Sequence, residues 1–229
     1  MAAISDGLSP SPLRLTLDGR ALAANWRWLD RMSGAAACGA AVKAEAYGIG
    51  AREATLRLAA AGCRDFLVAT WDEAAALGPL PEGARLSVLH GVRAGDIAAA
   101  LASTGRPVLN TAEQVARWKA AAPGRPCDVM IDTGINRLGL TPADALSGLL
   151  DGLAIDTLMS HLACADEDSP MNAAQQQAFA ALAARLPARR ASLANSAGIC
   201  LGADYHFGLV RPGVALYGGL PRAEAAGHV

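Results

Sequence analysis

The chain has 229 residues, with 20 basic against 21 acidic side chains and a hydrophobic content of 52%. That length and apolar content suffice for one barrel-sized domain or two small ones with a sizeable core. Charge is balanced and aromatic residues make up only 4%, so neither nucleic-acid nor membrane-surface binding is suggested. No apolar run is long enough to span a bilayer. Residues 1–12 lack the features of a signal peptide, so we expect a cytoplasmic protein with a flexible tail over 1–12.

Cysteine and histidine usage gives no sign of disulfides or metal. The five cysteines are an odd number and lie far apart, at Cys38, Cys63, Cys127, Cys164 and Cys200. We interpret them as reduced, buried thiols. The four histidines show no zinc-ligand spacing with one another or with cysteine, so no metal site is predicted.

The first element in chain order is Leu13–Leu17, which alternates apolar and polar residues like a half-buried strand. A helix is predicted after it, over about Gly19–Met32. The strand has two interpretations. It either closes one end of the fold or pairs with a second domain.

From about residue 36 to residue 217, short apolar runs alternate with alanine-rich helical stretches. The predicted strands are Ala36–Val42, Asp65–Ala69, Leu86–His90, Pro107–Leu109, Asp128–Ile131, Thr157–Ser160, Ser192–Asn195 and Gly213–Tyr217. The predicted helices between them are Arg52–Ala61, Trp71–Leu77, Ala94–Ser103, Ala112–Ala121, Pro142–Leu150 and Ala173–Leu186. This alternation indicates βαβ units and a parallel sheet, and eight such units predict an α/β protein with a (β/α)₈ TIM-type barrel. An open doubly wound sheet is the alternative, because 203–208 is too short for a normal last crossover helix.

The stretch from Ala40 to Gly50 places one lysine, Lys43, at the end of a predicted buried strand. A lysine there is costly unless it has a function, and an ammonium in an apolar site readily loses its proton. Lys43 is therefore a candidate Schiff-base former. Tyr47 and the following glycine turn could bind a phosphate through a hydroxyl and a close backbone approach. The alternative is a lysine that lies along a strand edge with its ammonium in water.

Four further polar motifs follow the later predicted strands, where the active sites of barrels lie. They are Asp132–Gly139 with Arg137, Ser160–Glu167 with His161, Ala194–Gly198 with Asn195 and Ser196, and Val210–Gly218 with Arg211, Gly213 and Val214. Each has a structural interpretation by itself, as a surface arginine, a satisfied histidine, a helix cap or a turn. Their common position on one rim favours a single site.

These five motifs, in this order and at these separations, resemble the N-terminal barrel of alanine racemase, a pyridoxal-phosphate (PLP) enzyme that interconverts L- and D-alanine. The resemblance covers about Leu13 to Gly219 and implies that residues 13–229 form a PLP-binding domain. It further implies PLP as cofactor, alanine as substrate, supply of D-alanine for cell-wall peptidoglycan, and a homodimer in the full-length enzyme.

The resemblance also implies roles around the cofactor's aldehyde and phosphate. Lys43 would form the Schiff base with PLP and then act as a base at the alanine α-carbon. Four groups would hold the phosphate, with Asn195 as a supporting residue: the side chains of Tyr47 and Ser196 and the backbone N–H groups of Gly213 and Val214.

Three further residues would surround the cofactor ring. Arg211 would face the pyridine nitrogen, Arg137 would lie near the phenolic oxygen, and His161 would pack beside the ring and hydrogen-bond Arg211. A guanidinium cannot hand a proton to the ring nitrogen, so the ring would be a weaker electron sink and side reactions such as transamination would be suppressed.

Some expectations follow from departures from the family pattern. Its members continue into a second, mostly β domain that supplies a catalytic tyrosine to the other subunit's site, and residues 1–229 do not include that domain. We therefore expect this chain to bind PLP but to racemise alanine poorly by itself. Glu45, Ile49 and Met130 replace residues common in relatives, and Met130 takes the place of a lysine that some relatives carbamylate. The alternatives are a single-domain PLP carrier or homeostasis protein and another PLP barrel enzyme such as a decarboxylase.

Overall fold

Short parallel strands line the interior of the fold in the computed structural model, which describes residues 16–229. The strands are β1 Ala37–Cys38, β2 Ala40–Ala41, β3 Asp65–Val68, β4 Arg85–Val88, β5 Arg106–Leu109, β6 Cys127–Met130, β7 Ile155–Met159, β8 Ala188–Ser192 and β9 Leu209–Val210. Only Gly39 separates β1 from β2, so these two segments act as one barrel strand.

The sheet closes on itself. Strands β2 to β8 pair in chain order and all in parallel, and β9 pairs in parallel with β1. On its other side β9 meets β8, where Ser192 Oγ donates to the Leu209 carbonyl at 2.6 Å and Gly208 N donates to the Ala191 carbonyl at 3.0 Å. The predicted (β/α)₈ barrel is therefore confirmed, and the open-sheet alternative is wrong.

Helices follow most strands and cover the barrel. They are Gly19–Met32, Ala51–Ala61, Trp71–Ala76, Ile97–Ala102, Ala112–Ala121, Pro142–Leu146, Pro170–Ala183 and Ser196–Cys200. The predicted caps are present, because the side chains of Thr111 and Thr141 each accept a hydrogen bond from the first turn of their helix. Pro142 occupies the first turn, where its missing N–H costs nothing.

The last two strand predictions are wrong in position. Strand β8 begins before the predicted strand Ser192–Asn195. Its pattern is not recognisable as a strand because its arginine side chains enter an ionic network rather than an apolar core. The predicted eighth strand, Gly213–Tyr217, is a 3₁₀ turn over Val214–Tyr217. That turn is apolar because Leu216 is fully buried beneath the helix Gly19–Met32, whose Asn25 donates to the Leu216 carbonyl at 3.1 Å.

Other sequence expectations fall outside the described residues or need correction. The tail 1–12 and positions 13–15 of the predicted strand Leu13–Leu17 lie outside them, and Thr16 and Leu17 are not in a strand. No helix within 16–229 is long and apolar enough to cross a membrane. All five cysteines are unpaired, but Cys164 and Cys200 are partly exposed rather than buried. In the same range, no three His, Cys, Asp or Glu side chains are grouped as metal ligands.

Acidic and basic side chains are interspersed around the first half of the barrel strands. They are Asp65 on β3, Arg85 on β4, Arg106 on β5, Asp128 on β6, Asp156 on β7 and Arg190 on β8. Arg190 Nη2 lies 2.6 Å from Asp65 Oδ1, and Arg85 Nη2 lies 2.7 Å from Asp65 Oδ2. Burial opposes ionisation of Asp65, but hydrogen bonds from Arg190 and Arg85 prevail and hold its pKa below the ordinary value. We call this set the ionic layer.

An apolar layer follows the ionic layer along the strands. Its buried members are Leu67, Val108, Met130 and Met159, and they pack together as one cluster. Layers of inward-pointing side chains are how such barrels fill their interior. The strand ends beyond this layer carry the polar motifs.

Candidate active site

A cavity of about 750 Å³ opens at the C-terminal ends of the strands, and every predicted site residue lines it. These are Lys43, Tyr47, Arg137, His161, Asn195, Ser196, Arg211, Gly213 and Val214. Two members of the apolar layer, Leu67 and Met130, also line the cavity. The structure thus brings the five motifs together over an apolar floor, while the role of each residue stays a prediction.

Lys43 begins an unusual turn directly after the first barrel strand. The next four residues, Ala44 to Tyr47, all have positive φ between 51° and 58°, which makes one left-handed helical turn. This conformation costs roughly 1–2 kcal/mol per non-glycine residue. Gly48 and Gly50 follow, both with positive φ, as the predicted turn requires. Strain of this kind persists where the surroundings over-determine it, and it concentrates at functional sites.

The environment of Lys43 favours its neutral amine. Burial lowers the pKa of Lys43, and the nearby Arg137 guanidinium lowers it further, while Glu73 acts in the opposite direction. A lysine must be unprotonated to attack a carbonyl carbon. The lowered pKa therefore gives Lys43 a larger unprotonated fraction at a given pH than an exposed lysine has.

Ser196 links the last two strand ends into a cradle. Its hydroxyl oxygen accepts hydrogen bonds from the N–H groups of Gly213 at 2.9 Å and Ala215 at 3.3 Å. Because these bonds occupy the oxygen's lone pairs, the hydroxyl hydrogen remains to donate to a ligand. The Tyr47 hydroxyl lies so close to Gly213 that a Cβ there would collide with it. The Tyr47 ring packs against the tilted ring of Tyr217 with centroids 4.9 Å apart, which orients that hydroxyl.

Asn195 is a helix cap, a structural role that asparagine often has. Its side chain lines the cavity and also caps the helix Ser196–Cys200, because Oδ1 accepts from Gly198 N at 2.9 Å. The cap fixes the position of the neighbouring Ser196 in the cradle.

Arg211 is a buried cation. Its guanidinium donates hydrogen bonds to Ser192 Oγ, to the Ser160 carbonyl at 2.6 Å and to the Leu193 carbonyl at 3.5 Å. Burial lowers the pKa of Arg211 to about 10, although Asp128 opposes the shift, so the group stays charged near neutral pH. Three partners on neighbouring strands hold the guanidinium in place at the cavity wall.

His161 is held neutral between cations. Burial lowers the pKa of His161 to about 3, with further contributions from Arg211, Arg137 and Lys43. The expected hydrogen bond between His161 and Arg211 is not formed within residues 16–229, because the guanidinium is used by Ser192 and two carbonyls. The His161 backbone is fixed by Gln175, whose Nε2 donates to its carbonyl at 3.0 Å.

The depressed pKa of His161 predicts a specific pH dependence of stability. The unfolded histidine takes up a proton below its ordinary pKa of about 6.5 and the folded one does not, so this contribution is present above pH 6.5 and lost as pH falls towards 3. Between pH 6.5 and 5.5 the wild type should lose about 1 kcal/mol more unfolding free energy than His161→Gln. Urea denaturation of both proteins at the two pH values measures this. Equal losses would contradict the neutral assignment.

Arg137 lies on a loop that folds back on its strand. Asp132 Oδ1 accepts from Gly134 N at 2.8 Å and Asn136 N at 3.1 Å, and Leu140 N returns to the Met130 carbonyl at 2.9 Å. Arg137 itself is exposed, and residues 16–229 provide its side chain with no hydrogen bond or ion pair. Met130, in the layer beneath, has no group that could orient it.

Sequence reasoning missed two residues that organise the site. Glu73 accepts hydrogen bonds from the N–H groups of Ala44 and Ala69. Gln175 accepts from Ala163 N at 2.8 Å besides donating to His161. A signal existed for Glu73, since Thr70 and Glu73 have the spacing of a capping box. A glutamine inside an alanine-rich helix carries no comparable signal.

A closed barrel with a lysine, two arginines and a hydroxyl cradle at the strand ends defines an α/β barrel with one built small-molecule site. The family model described as the N-terminal domain of alanine racemase matches residues 17–221. The chain is 50% identical over 224 residues to the alanine racemase of Rhodospirillum rubrum, covering 93% of this chain and 60% of that protein. It is 46% identical over 215 residues to that of Rhizobium meliloti, covering 90% and 57%.

Solved structures agree with the sequence relatives. The crystal structure of an alanine racemase from Bartonella henselae with covalently bound pyridoxal phosphate has a TM-score of 0.83 at 36% identity, covering 90% of this chain and 60% of that one. The chain therefore belongs to the alanine racemase N-terminal domain family. It spans about 60% of the length of the curated relatives just named.

Proposed function

We propose that residues 13–229 form the PLP-binding barrel of an alanine racemase, which interconverts L- and D-alanine. The observation that carries the proposal is the gathering of all nine predicted residues in one cavity around Lys43. The relatives compared above are named alanine racemases, so neither a carrier protein nor a decarboxylase is favoured.

The donor set fits the cofactor. A phosphate needs several convergent donors, and the cradle offers the Ser196 hydroxyl, the Tyr47 hydroxyl and the backbone N–H of Val214. The N–H of Gly213, the fourth expected donor, is used by Ser196 Oγ. Burial raises the pKa of Tyr47, which keeps its hydroxyl protonated and able to donate. Lys43 would hold the cofactor covalently through Nζ. When bound, PLP supplies an electron sink for the bonds of the substrate's α-carbon.

The chain's own residues divide the remaining work. Lys43, with its lowered pKa, would remove or return a proton on one face of the substrate's α-carbon. Arg211 stays charged and cannot give up its proton, so it would stabilise an unprotonated nitrogen placed against it. His161 is neutral and would add no further positive charge there. Arg137 is exposed, and its side chain has no hydrogen bond or ion pair among residues 16–229, which suits a residue that contacts a ligand's anionic oxygen.

Racemisation also needs a proton donor on the opposite face of the α-carbon. We propose that this group comes from the part of the full-length enzyme beyond the match, in a cytoplasmic homodimer that supplies D-alanine for peptidoglycan. The support is a rim of exposed apolar side chains beside the cavity, which a further domain would cover. They are Tyr47, Leu138, Val214 and Leu220.

Addition of PLP, borohydride reduction and peptide mass mapping test the proposal. A reduced adduct on Lys43 is expected, and its absence together with no thermal-shift response to PLP would overturn the assignment. An alanine assay then separates a racemase from a carrier. We expect this chain alone to turn over far more slowly than about 1 per second, a low rate for an enzyme, and the full-length enzyme to exceed that rate. A full-length enzyme that binds PLP without racemising alanine would favour the carrier.

A further inference from the structure

Glu73 connects two barrel units through its carboxylate. It lies on the helix Trp71–Ala76, which follows β3, and both of its oxygens are used. Oε2 accepts from Ala69 N at 2.6 Å, at the end of β3, and Oε1 accepts from Ala44 N at 2.8 Å, in the neighbouring unit. The carboxylate thus spans from its own strand end to the residue directly after Lys43.

The bond to Ala44 acts on a strained segment. Ala44 is the first of the four consecutive left-handed residues, and such a turn persists only if contacts hold it. Two hydrogen bonds lie within the turn and the start of the next helix. Ala46 N donates to the Val42 carbonyl at 3.0 Å, and Ala51 N donates to Glu45 Oε2 at 3.1 Å. Among the described residues, the bond that Ala44 N donates to Glu73 is the one that connects the Lys43–Ala44 peptide to another barrel unit.

A second helix shows why the residue here is an acid. Gln114, at the same position after β5, accepts from Asn110 N at 2.9 Å through Oε1 and donates to the His90 carbonyl at 3.1 Å through Nε2. There the neighbouring unit offers a carbonyl, so an amide suits both partners. At Glu73 both partners are N–H donors, and only a carboxylate has two oxygens that can each accept from one of them. This places a negative charge on the N–H of Ala44, the residue directly after Lys43, where it favours the charged form of the lysine.

We propose that Glu73 is a positioning residue for Lys43, which fixes the left-handed turn and offsets the field of Arg137 at the lysine amine. The proposal rests on the proposed function of Lys43. Glu73 touches neither the substrate nor the cofactor in this assignment, and it acts through the backbone of Ala44 and through its charge.

The test uses the wild-type chain and Glu73→Gln without cofactor. Lys43 and Lys119 are the only lysines in the chain, so Lys119 serves as an internal reference for acetic anhydride labelling followed by mass spectrometry. In Glu73→Gln the pH midpoint of Lys43 labelling should fall by roughly half a unit or more, because a carboxylate that favours the ammonium is lost. Amide exchange of peptide 44–50 should become at least about tenfold faster, because glutamine presents an N–H₂ group to one of the two donors.

Gln114→Met is the matched control. It removes the equivalent bridge in another unit, so it reproduces any general loosening without changing the charge near Lys43. In Gln114→Met the pH midpoint of Lys43 labelling should match that of the wild type. The faster amide exchange should map to the loops that follow β4 and β5. Asp72→Asn, an exposed carboxylate on the same helix as Glu73, controls for the change in net charge.

The outcomes separate the proposals. If Glu73→Gln shifts neither readout beyond the two controls, the positioning role is refuted. If Glu73→Gln does not fold by circular dichroism, Glu73→Asp is measured instead, and failure of that variant to fold as well would make Glu73 a general fold determinant and overturn the proposal. Both readouts omit PLP, so a wild-type chain that shows them but takes no PLP onto Lys43 would refute the proposed function alone.

Discussion

Lys43→Ala is expected to abolish covalent attachment of PLP, leaving no borohydride-reducible adduct on the chain. Lys43 is the lysine that lines the cavity, and burial together with Arg137 lowers the pKa of its amine. The other lysine, Lys119, lies on one of the outer helices that cover the barrel, and it donates to the Leu149 carbonyl at 2.8 Å. Peptide mapping after reduction therefore has two side chains to distinguish.

Lys119→Ala is the control for that experiment and should retain the full adduct. Absorbance of the bound cofactor before reduction gives an independent measure of the same attachment. An adduct of normal yield in Lys43→Ala would contradict the assignment of Lys43, and an adduct mapped to Lys119 in the wild type would show that attachment is non-specific.

Arg190→Met is expected to lower the free energy of unfolding by about 3–5 kcal/mol, as removal of one partner from a buried ion pair does. The Arg190 side chain is 11% exposed and that of Asp65 is 6% exposed. Arg190 also donates from Nε to Thr157 Oγ1 at 3.0 Å. Loss of the guanidinium therefore leaves Asp65 with Arg85 alone and with a lone pair unmatched inside the barrel.

The neighbouring Arg189 provides a matched control in the same strand. Its side chain is 62% exposed and pairs with Asp156 at 2.8 Å. Arg189→Met should cost less than about 1 kcal/mol, because exposed ion pairs contribute little. Urea denaturation of the two variants measures the difference, and losses equal within about 0.5 kcal/mol would show that the ionic layer does not behave as a buried network.

The sequence predicted the barrel well where its strands are apolar. Regions such as Asp65–Ala69 and Asp128–Ile131 read as strands because their side chains pack in the core. Strand β8 was misplaced because Arg189 and Arg190 make it polar, and the ion pairs that accommodate Arg190 come from strands far away in sequence. Strand β9 is only two residues long, and the longer apolar run after it, Val214–Tyr217, was predicted as the strand instead.

The candidate site was predicted from its motifs, and the structure placed each of those residues at one cavity. What the motifs could not predict is how the side chains are held. The capping-box spacing of Glu73 predicts a helix start, but its bond to Ala44 N depends on the unusual backbone there, which the sequence does not reveal. The sequence analysis expected His161 to be the hydrogen-bond partner of Arg211. The observed partners come from the ends of two other strands, and nothing in the sequence spacing favoured them over His161.

Because an ionic layer and an apolar layer fill the barrel beneath the cavity, the barrel is closed towards the N-terminal ends of its strands. Leu67 and Met130 form part of the floor, and the ionic network fills the interior beneath them. Molecules that bind over this floor must enter and leave through the same opening at the strand ends. Under the proposed function, both enantiomers of the amino acid would pass through that opening. Accumulated product would then compete with substrate for entry. Any part of the protein that covers the rim would control both entry and release.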